Sequence, residues 1–68
     1  MTATCTVNGR EHALEPDETV ARLLERLGVA GPYALVERNG EPVERLAYPE
    51  VRLERDDVVV VARPVAGG

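Results

Sequence analysis

Few residues of this chain combine a type and a spacing that chemistry could use. The single cysteine Cys5, the single histidine His12, the pair Asp56-Asp57 and the closing stretch "RPVAGG" (Arg63 to Gly68) are the ones to weigh. Cys5 sits on the apolar side of an alternating run, which favours a buried, inert thiol over a persulfide relay. His12 has no Ser, Cys or carboxylate constellation around it and reads as an exposed strand residue. Asp56 and Asp57 could mimic paired catalytic carboxylates, yet a solvated turn explains them. Tyr33 and Tyr48 read as packing or rim residues. No glycine-rich loop opens a helix to hold a phosphate, and one cysteine leaves no Cys-based zinc site.

The "AGG" ending remains. A carboxylate is a poor acyl donor because its oxygen is a poor leaving group. Attack by that oxygen on the α-phosphate of ATP would give an acyl-adenylate, from which AMP leaves readily. A sulfide or persulfide attacking the same carbonyl would leave a thiocarboxylate. Glycines suit such an end because no Cβ obstructs a narrow approach. Four extended residues, Val65 to Gly68, span about 13 Å at roughly 3.3 Å each, enough to reach a recessed site while the domain stays outside. The plainer account of Gly67-Gly68 is a frayed end.

Composition bounds the rest. The chain has 68 residues, one domain's worth, and a domain this short buries only about 60% of the surface its unfolded chain exposes. With no Trp and no Phe, the core must be built from Leu, Val and Ala, which disfavours an enclosed catalytic pocket. The formal charge of -4, from 8 basic and 12 acidic residues, disfavours nucleic acid; solubility alone accounts for it most simply, and it would also favour encounter with a basic protein surface. The N-terminal "MTATCTVNGR" has no signal-peptide h-region, and no stretch approaches the roughly 20 apolar residues that span a bilayer. A reducing cytoplasm is the expected location.

The elements that would carry the tail are legible as patterns. "TATCTV" alternates with Ala3, Cys5 and Val7 on one dry face, and Asn8-Gly9 then predicts a hairpin turn into "REHAL". "PDETVARLLERLG" predicts a helix: Asp17 or Thr19 as cap, Val20, Leu23, Leu24 and Leu27 on one stripe, Gly28 as the left-handed stop with Val29 folding back. A strand from Tyr33 to Arg38 leads to a second turn at Asn39-Gly40. Residues 41–53, with Pro42 and Pro49, predict loop with one short strand or helical turn. "VVVVARPV" is apolar on both faces and so belongs in the middle of a sheet. A right-handed crossover through the helix places it beside the first strand, giving a β-grasp. One helix covers only one sheet face, so Val59 and Val61 are expected on the open face as a partner-docking patch.

The order of "VNG", "TVARLLERLG", "RNGEPVER", "LERDD" and "VAGG" resembles the ThiS family, the thiamine-pathway sulfur carriers among the ubiquitin-like β-grasp proteins. The resemblance covers essentially the whole chain. One departure is the turn before the last strand, usually Gly-Asp in that family and here Asp56-Asp57; aspartate tolerates left-handed backbone better than most residues. The fold implied is α+β: a single ubiquitin-like β-grasp domain, 1–68, with one helix on a mixed four- to five-stranded sheet and residues 65–68 as a flexible tail. The resemblance also implies that Gly68 is adenylated and then thiocarboxylated, and that Val65, Ala66 and Gly67 are threaded by the partner. A ThiF-like (E1-like) adenylyltransferase would use Mg and ATP, a cysteine desulfurase would supply sulfur, and a ThiG-like thiazole synthase would receive it. The chain itself would be a protein cosubstrate with no catalysis and no bound cofactor. A molybdopterin synthase small subunit, a tRNA-thiolation carrier, a carrier also conjugated to lysines, and a non-covalent β-grasp interaction module remain alternatives.

Overall fold

The structure, a computed structural model, describes residues 2–29 and 34–63. Two Asn-Gly pairs set its hairpins. Asn8 and Gly9 take φ of 51° and 82°, and Asn39 and Gly40 take 54° and 84°, the doubly left-handed backbone of a type I′ turn that matches the twist of paired strands. The first turn joins β1 (Thr4–Val7) to β2 (Arg10–Ala13), with Val7 facing Arg10. The second joins β3 (Leu35–Arg38) to the two-residue β4 (Glu41–Pro42), with Arg38 facing Glu41. Pro42 is tolerated because β4 lies at the sheet's edge.

The helix α1 spans Val20–Leu27, and its punctuation is that of the sequence. Thr19 is the cap, its Oγ1 accepting the Arg22 N–H at 3.2 Å. Gly28 leaves the helix at φ 72°; its N–H donates to Glu25 O at 3.1 Å and that of Val29 to Leu24 O at 2.9 Å. This is a complete Schellman ending. Asp17 does not cap; it turns the chain at φ 57° and pairs with Arg52 at 3.5 Å on the surface.

Among the described residues five strands form one sheet in the order β2-β1-β5-β3-β4, with β5 (Val58–Ala62) at its centre. β5 runs parallel to β1 and antiparallel to β3, so the chain must cross from one hairpin to the other through α1. Cys5, Val7, Val36 and Val59 from the strands meet Val20, Leu23 and Leu24 from the helix in the core. This is the one-helix, mixed-sheet architecture expected.

One expectation is reversed. Val59 is not on the open face: it is 0% exposed, under α1, and Val61 is half-buried against the same core. Val58 and Val60 face outward instead, at 51% and 44% exposure. The cause is Asp57. A solvated aspartate at the turn would put residues 57, 59 and 61 outside together, because side chains alternate along a strand. Asp57 is in fact 6% exposed. It accepts hydrogen bonds from Arg38 Nε at 2.8 Å, Asn39 Nδ2 at 3.0 Å and the Glu54 N–H at 2.8 Å. Asp56 alone behaves as the exposed turn residue, at φ 68°.

The segment after β4 proves to be part of the frame. A single 3₁₀ turn, Arg45–Ala47, brings the chain back under the start of α1. There Val51 O accepts the Val20 N–H and Tyr48 O accepts the Ala21 N–H, both at 3.0 Å, satisfying helix donors that have no partner within the helix. Tyr48 is buried and donates its hydroxyl to Ala34 O at 2.8 Å. Leu53 joins the core as the Leu53 N–H donates to Glu18 O at 2.9 Å. Glu18 itself is 2% exposed, its carboxylate bonded by Arg26 Nη1 at 2.6 Å and by the Glu15 N–H at 2.9 Å.

Asp57 makes the domain acid-sensitive. Burial alone would raise its pKa, but the hydrogen bonds from Asn39, the Glu54 N–H and Arg38 outweigh that and hold it below the usual aspartate value. Its ionised form therefore contributes stability in full above the unfolded pKa, and the contribution is lost as pH falls through the folded one. Asp57→Asn should cost about 2 kcal/mol at neutral pH, since it removes charge-assisted bonds and turns an amide donor toward other donors. The cost should shrink on acidification as the wild type protonates. Urea unfolding of both proteins across that range checks this; a pH-independent difference would contradict it.

Candidate functional site

The end of β5 is where the sequence places its chemistry, so what holds that end matters. β1 stops at Val7, and beyond it β5 would lose its parallel partner. The Asn8 side chain takes over: its Oδ1 accepts the Val61 N–H at 2.9 Å and its Nδ2 donates to Val61 O at 3.1 Å. The Asn8 N–H also donates to Val59 O at 2.9 Å. The other end of the strand is held in the same manner, with Asn39 Oδ1 accepting the Val58 N–H at 2.8 Å and the Asn39 N–H donating to Val58 O at 2.7 Å. Each Asn-Gly turn thus makes a hairpin and clamps one end of the central strand. The sequence reading missed this second role, although the choice of Asn at both turns, where Asp or Gly would also fit a type I′ turn, is the signal that could have shown it.

β5 ends at Ala62, and exposed Arg63 is the last residue described before the tail. Val65, Ala66, Gly67 and Gly68 lie outside the described residues, as does Tyr33. Around the base of the tail the open sheet face is mainly apolar, broken by exposed Glu37 opposite Val60. Leu35 is 57% exposed and stands opposite Ala62, also exposed, while Val60 neighbours them. Together with Val58 they form a strip along the uncovered side of β3 and β5. Val59, moved into the core, has no part in it. Val61 reaches only the helix side.

The other sequence candidates are dispersed. Cys5 is 2% exposed, and burial, reinforced by the carboxylates of Glu18 and Asp57 and offset in part by Arg26, pushes its thiol pKa up. A raised pKa suppresses the thiolate, the nucleophilic form. His12 lies opposite Cys5 across the β1–β2 ladder and is half-buried. Asp57 is engaged in structure, as described. Among the described residues no group of His, Cys, Asp and Glu could hold a metal ion, and no helix is long and apolar enough to cross a membrane.

A single helix gripped by a mixed sheet, with a parallel pair at the centre and a hairpin on each flank, defines a β-grasp domain of the ubiquitin-like kind. Residues 2–68 match the ThiS family, and the chain belongs to that family. The crystal structure of a thiamine biosynthesis protein (ThiS) from Geobacter metallireducens is similar to it. The TM-score is 0.78 at 35% identity, over 96% of this chain and 99% of that one. An NMR solution structure of a thiamine biosynthesis protein from the same organism gives 0.76 at 35% identity, over 96% and 87%. A curated relative, the thiazole synthase of Magnetococcus marinus, is 39% identical over 62 residues, covering 91% of this chain; the chain spans 19% of that relative's length.

The inward and outward valines should separate cleanly in folding. Val59→Asp places an unpaired carboxylate in the core and should abolish the folded state, because a buried charge without a partner is not tolerated. Val60→Asp, on the open face, should change the melting temperature by less than about 4 °C, as surface changes stay within roughly 0.5 kcal/mol. Thermal melts by circular dichroism decide; similar damage from both would contradict the assigned faces.

Proposed function

We propose that this protein is a sulfur carrier of thiamine biosynthesis, a cosubstrate that other enzymes charge and discharge. The observation that supports this most directly is that the family match runs through Gly67 and Gly68, well past the last strand. In the reaction we propose, a carboxylate oxygen of Gly68 attacks the α-phosphate of ATP held with Mg by a ThiF-like adenylyltransferase, and pyrophosphate leaves. A sulfur nucleophile, its sulfur drawn from cysteine by a desulfurase, then attacks the acyl carbon. AMP leaves with the bonding electrons. Free sulfide thereby gives the thiocarboxylate directly; a persulfide nucleophile gives an acyl disulfide, which a second thiol cleaves to the thiocarboxylate as a thiol–thiol disulfide forms. Val65, Ala66 and Gly67 are the residues the enzyme threads, small enough to pass a narrow channel.

Thiazole synthase is the proposed acceptor. The Magnetococcus marinus relative of that name contains the segment that matches this chain, which supports the pairing. The open strip of Leu35, Val58, Val60 and Ala62 is the proposed docking surface, in place of Val59 and Val61. Exposed apolar strips beside a functional end are what protein partners cover. Nothing in this reading asks the chain's own side chains for catalysis.

Incubation with a ThiF-like adenylyltransferase, Mg-ATP and sulfide should raise the intact mass by the difference between sulfur and oxygen. Deleting Gly68 should abolish that gain without altering the melting temperature, because a single terminal glycine contributes little burial. No gain from an enzyme that charges its own carrier would reject the reading and leave a non-covalent β-grasp module. Val60→Asp should weaken binding of that enzyme about tenfold, as expected for a desolvated anchor. Unchanged affinity would reject the strip. Capture of a molybdopterin synthase large subunit in place of thiazole synthase would reassign the acceptor.

A further inference from the structure

On the helix side of the sheet, beside the end of β5, lies a groove of about 390 Å³. Its floor is apolar, with Val7, Leu27 and Val61, and its rim is basic, with Arg10, His12 and Arg63. The register explains the arrangement. His12 pairs with Cys5 and Arg10 with Val7, so both point to the face covered by α1. They stand on the outer strand β2, half-buried and exposed respectively. Among the described residues no carboxylate lines the groove, although the chain carries 12 acidic residues against 8 basic ones. The ion pairs among the described residues engage Arg26, Arg38 and Arg52, not Arg10 or Arg63.

We propose that this groove seats an acidic peptide segment, bearing one aliphatic side chain, of the enzyme that activates the tail; the proposal rests on the carrier reading above. Charge decides the first part. A cationic rim on an otherwise acidic protein selects carboxylates and disfavours a basic partner at this point. The floor decides the second. Val29 joins the three aliphatic side chains already named, which complement a Leu, Val or Met side chain, and the Asn8 amide that also lines the groove is already bonded to the Val61 backbone. Position decides which partner. Arg63 rims the groove and is separated from the tail by Pro64 alone, so an enzyme that takes residues 65–68 into its channel must cover Arg63. An acidic segment at the channel mouth would orient the domain as the tail enters.

The test is association of the full chain with a purified ThiF-like adenylyltransferase, without nucleotide, at low and moderate salt. The double variant Arg10→Glu, Arg63→Glu should associate about tenfold more slowly and with a flatter salt dependence, the signature of rim charges. The double variant Arg22→Glu, Arg45→Glu changes net charge equally but alters exposed residues outside the groove. It should stay within about twofold of wild type if local rather than total charge governs the rate. Equal slowing by both pairs, or none by the first, would overturn the proposal. A defect that emerges only with ATP present would overturn it too, assigning the groove to nucleotide phosphate. The carrier reading fails separately, as a wild-type chain that never gains sulfur.

Discussion

The structure depends on one strand being bonded along both edges. β5 takes β3 on one side and β1 on the other, and a strand so held cannot rotate about its axis. Its alternate side chains are therefore assigned without freedom: Val59 and Val61 to the helix, Val58 and Val60 to the open side. The parallel contact with β1 is short, with Thr6 facing Val58 and Val7 facing Val59. The Asn8 side chain supplies the next rung from a turn that has already left the sheet. Without it the last residues of β5 would rest on β3 alone, and the direction in which the chain leaves the sheet would be less constrained.

A core without Phe or Trp has little area to spend, and two buried carboxylates do part of the fixing. Glu18 ties the entry of α1 to Arg26 near its last turn, and Asp57 ties the entry of β5 to Arg38 and Asn39 of the opposing hairpin. Each also accepts a backbone N–H, so neither is an isolated buried charge. Such pairs add little net stability compared with apolar packing, yet they are costly to break from one side. In this fold they act as locators, joining segments 8 and 19 residues apart in sequence.

Local rules were legible in the sequence wherever one short motif decides one conformation. The two Asn-Gly turns, a helix cap at Asp17 or Thr19, the Gly28-Val29 ending and the central place of the most apolar strand all follow from patterns a few residues long. The parity of β5 did not, because it turns on whether Asp57 faces water or Arg38, a contact across 19 residues. Residues 41–53 were legible only as loop with one short strand or helical turn, for a related reason. Their carbonyls serve donors on α1, and a carbonyl's partner leaves no mark on residue type. The apolar strip was foreseen in kind, since one helix cannot cover two faces, but was assigned the wrong pair of valines.

The two surfaces that flank the end of β5 differ in physical character, and that difference bears on how a partner could use them. The open strip is aliphatic, so the free energy of covering it follows the area removed from water and responds little to salt. The groove is rimmed by cations, so its effect is felt before contact and fades as ionic strength rises. The first suits affinity; the second suits orientation. Both converge on Ala62 and Arg63, where the chain leaves the sheet. In the function proposed above, a domain with no catalytic constellation of its own among the described residues selects the enzyme that meets its tail through surfaces built on a strand fixed from both edges.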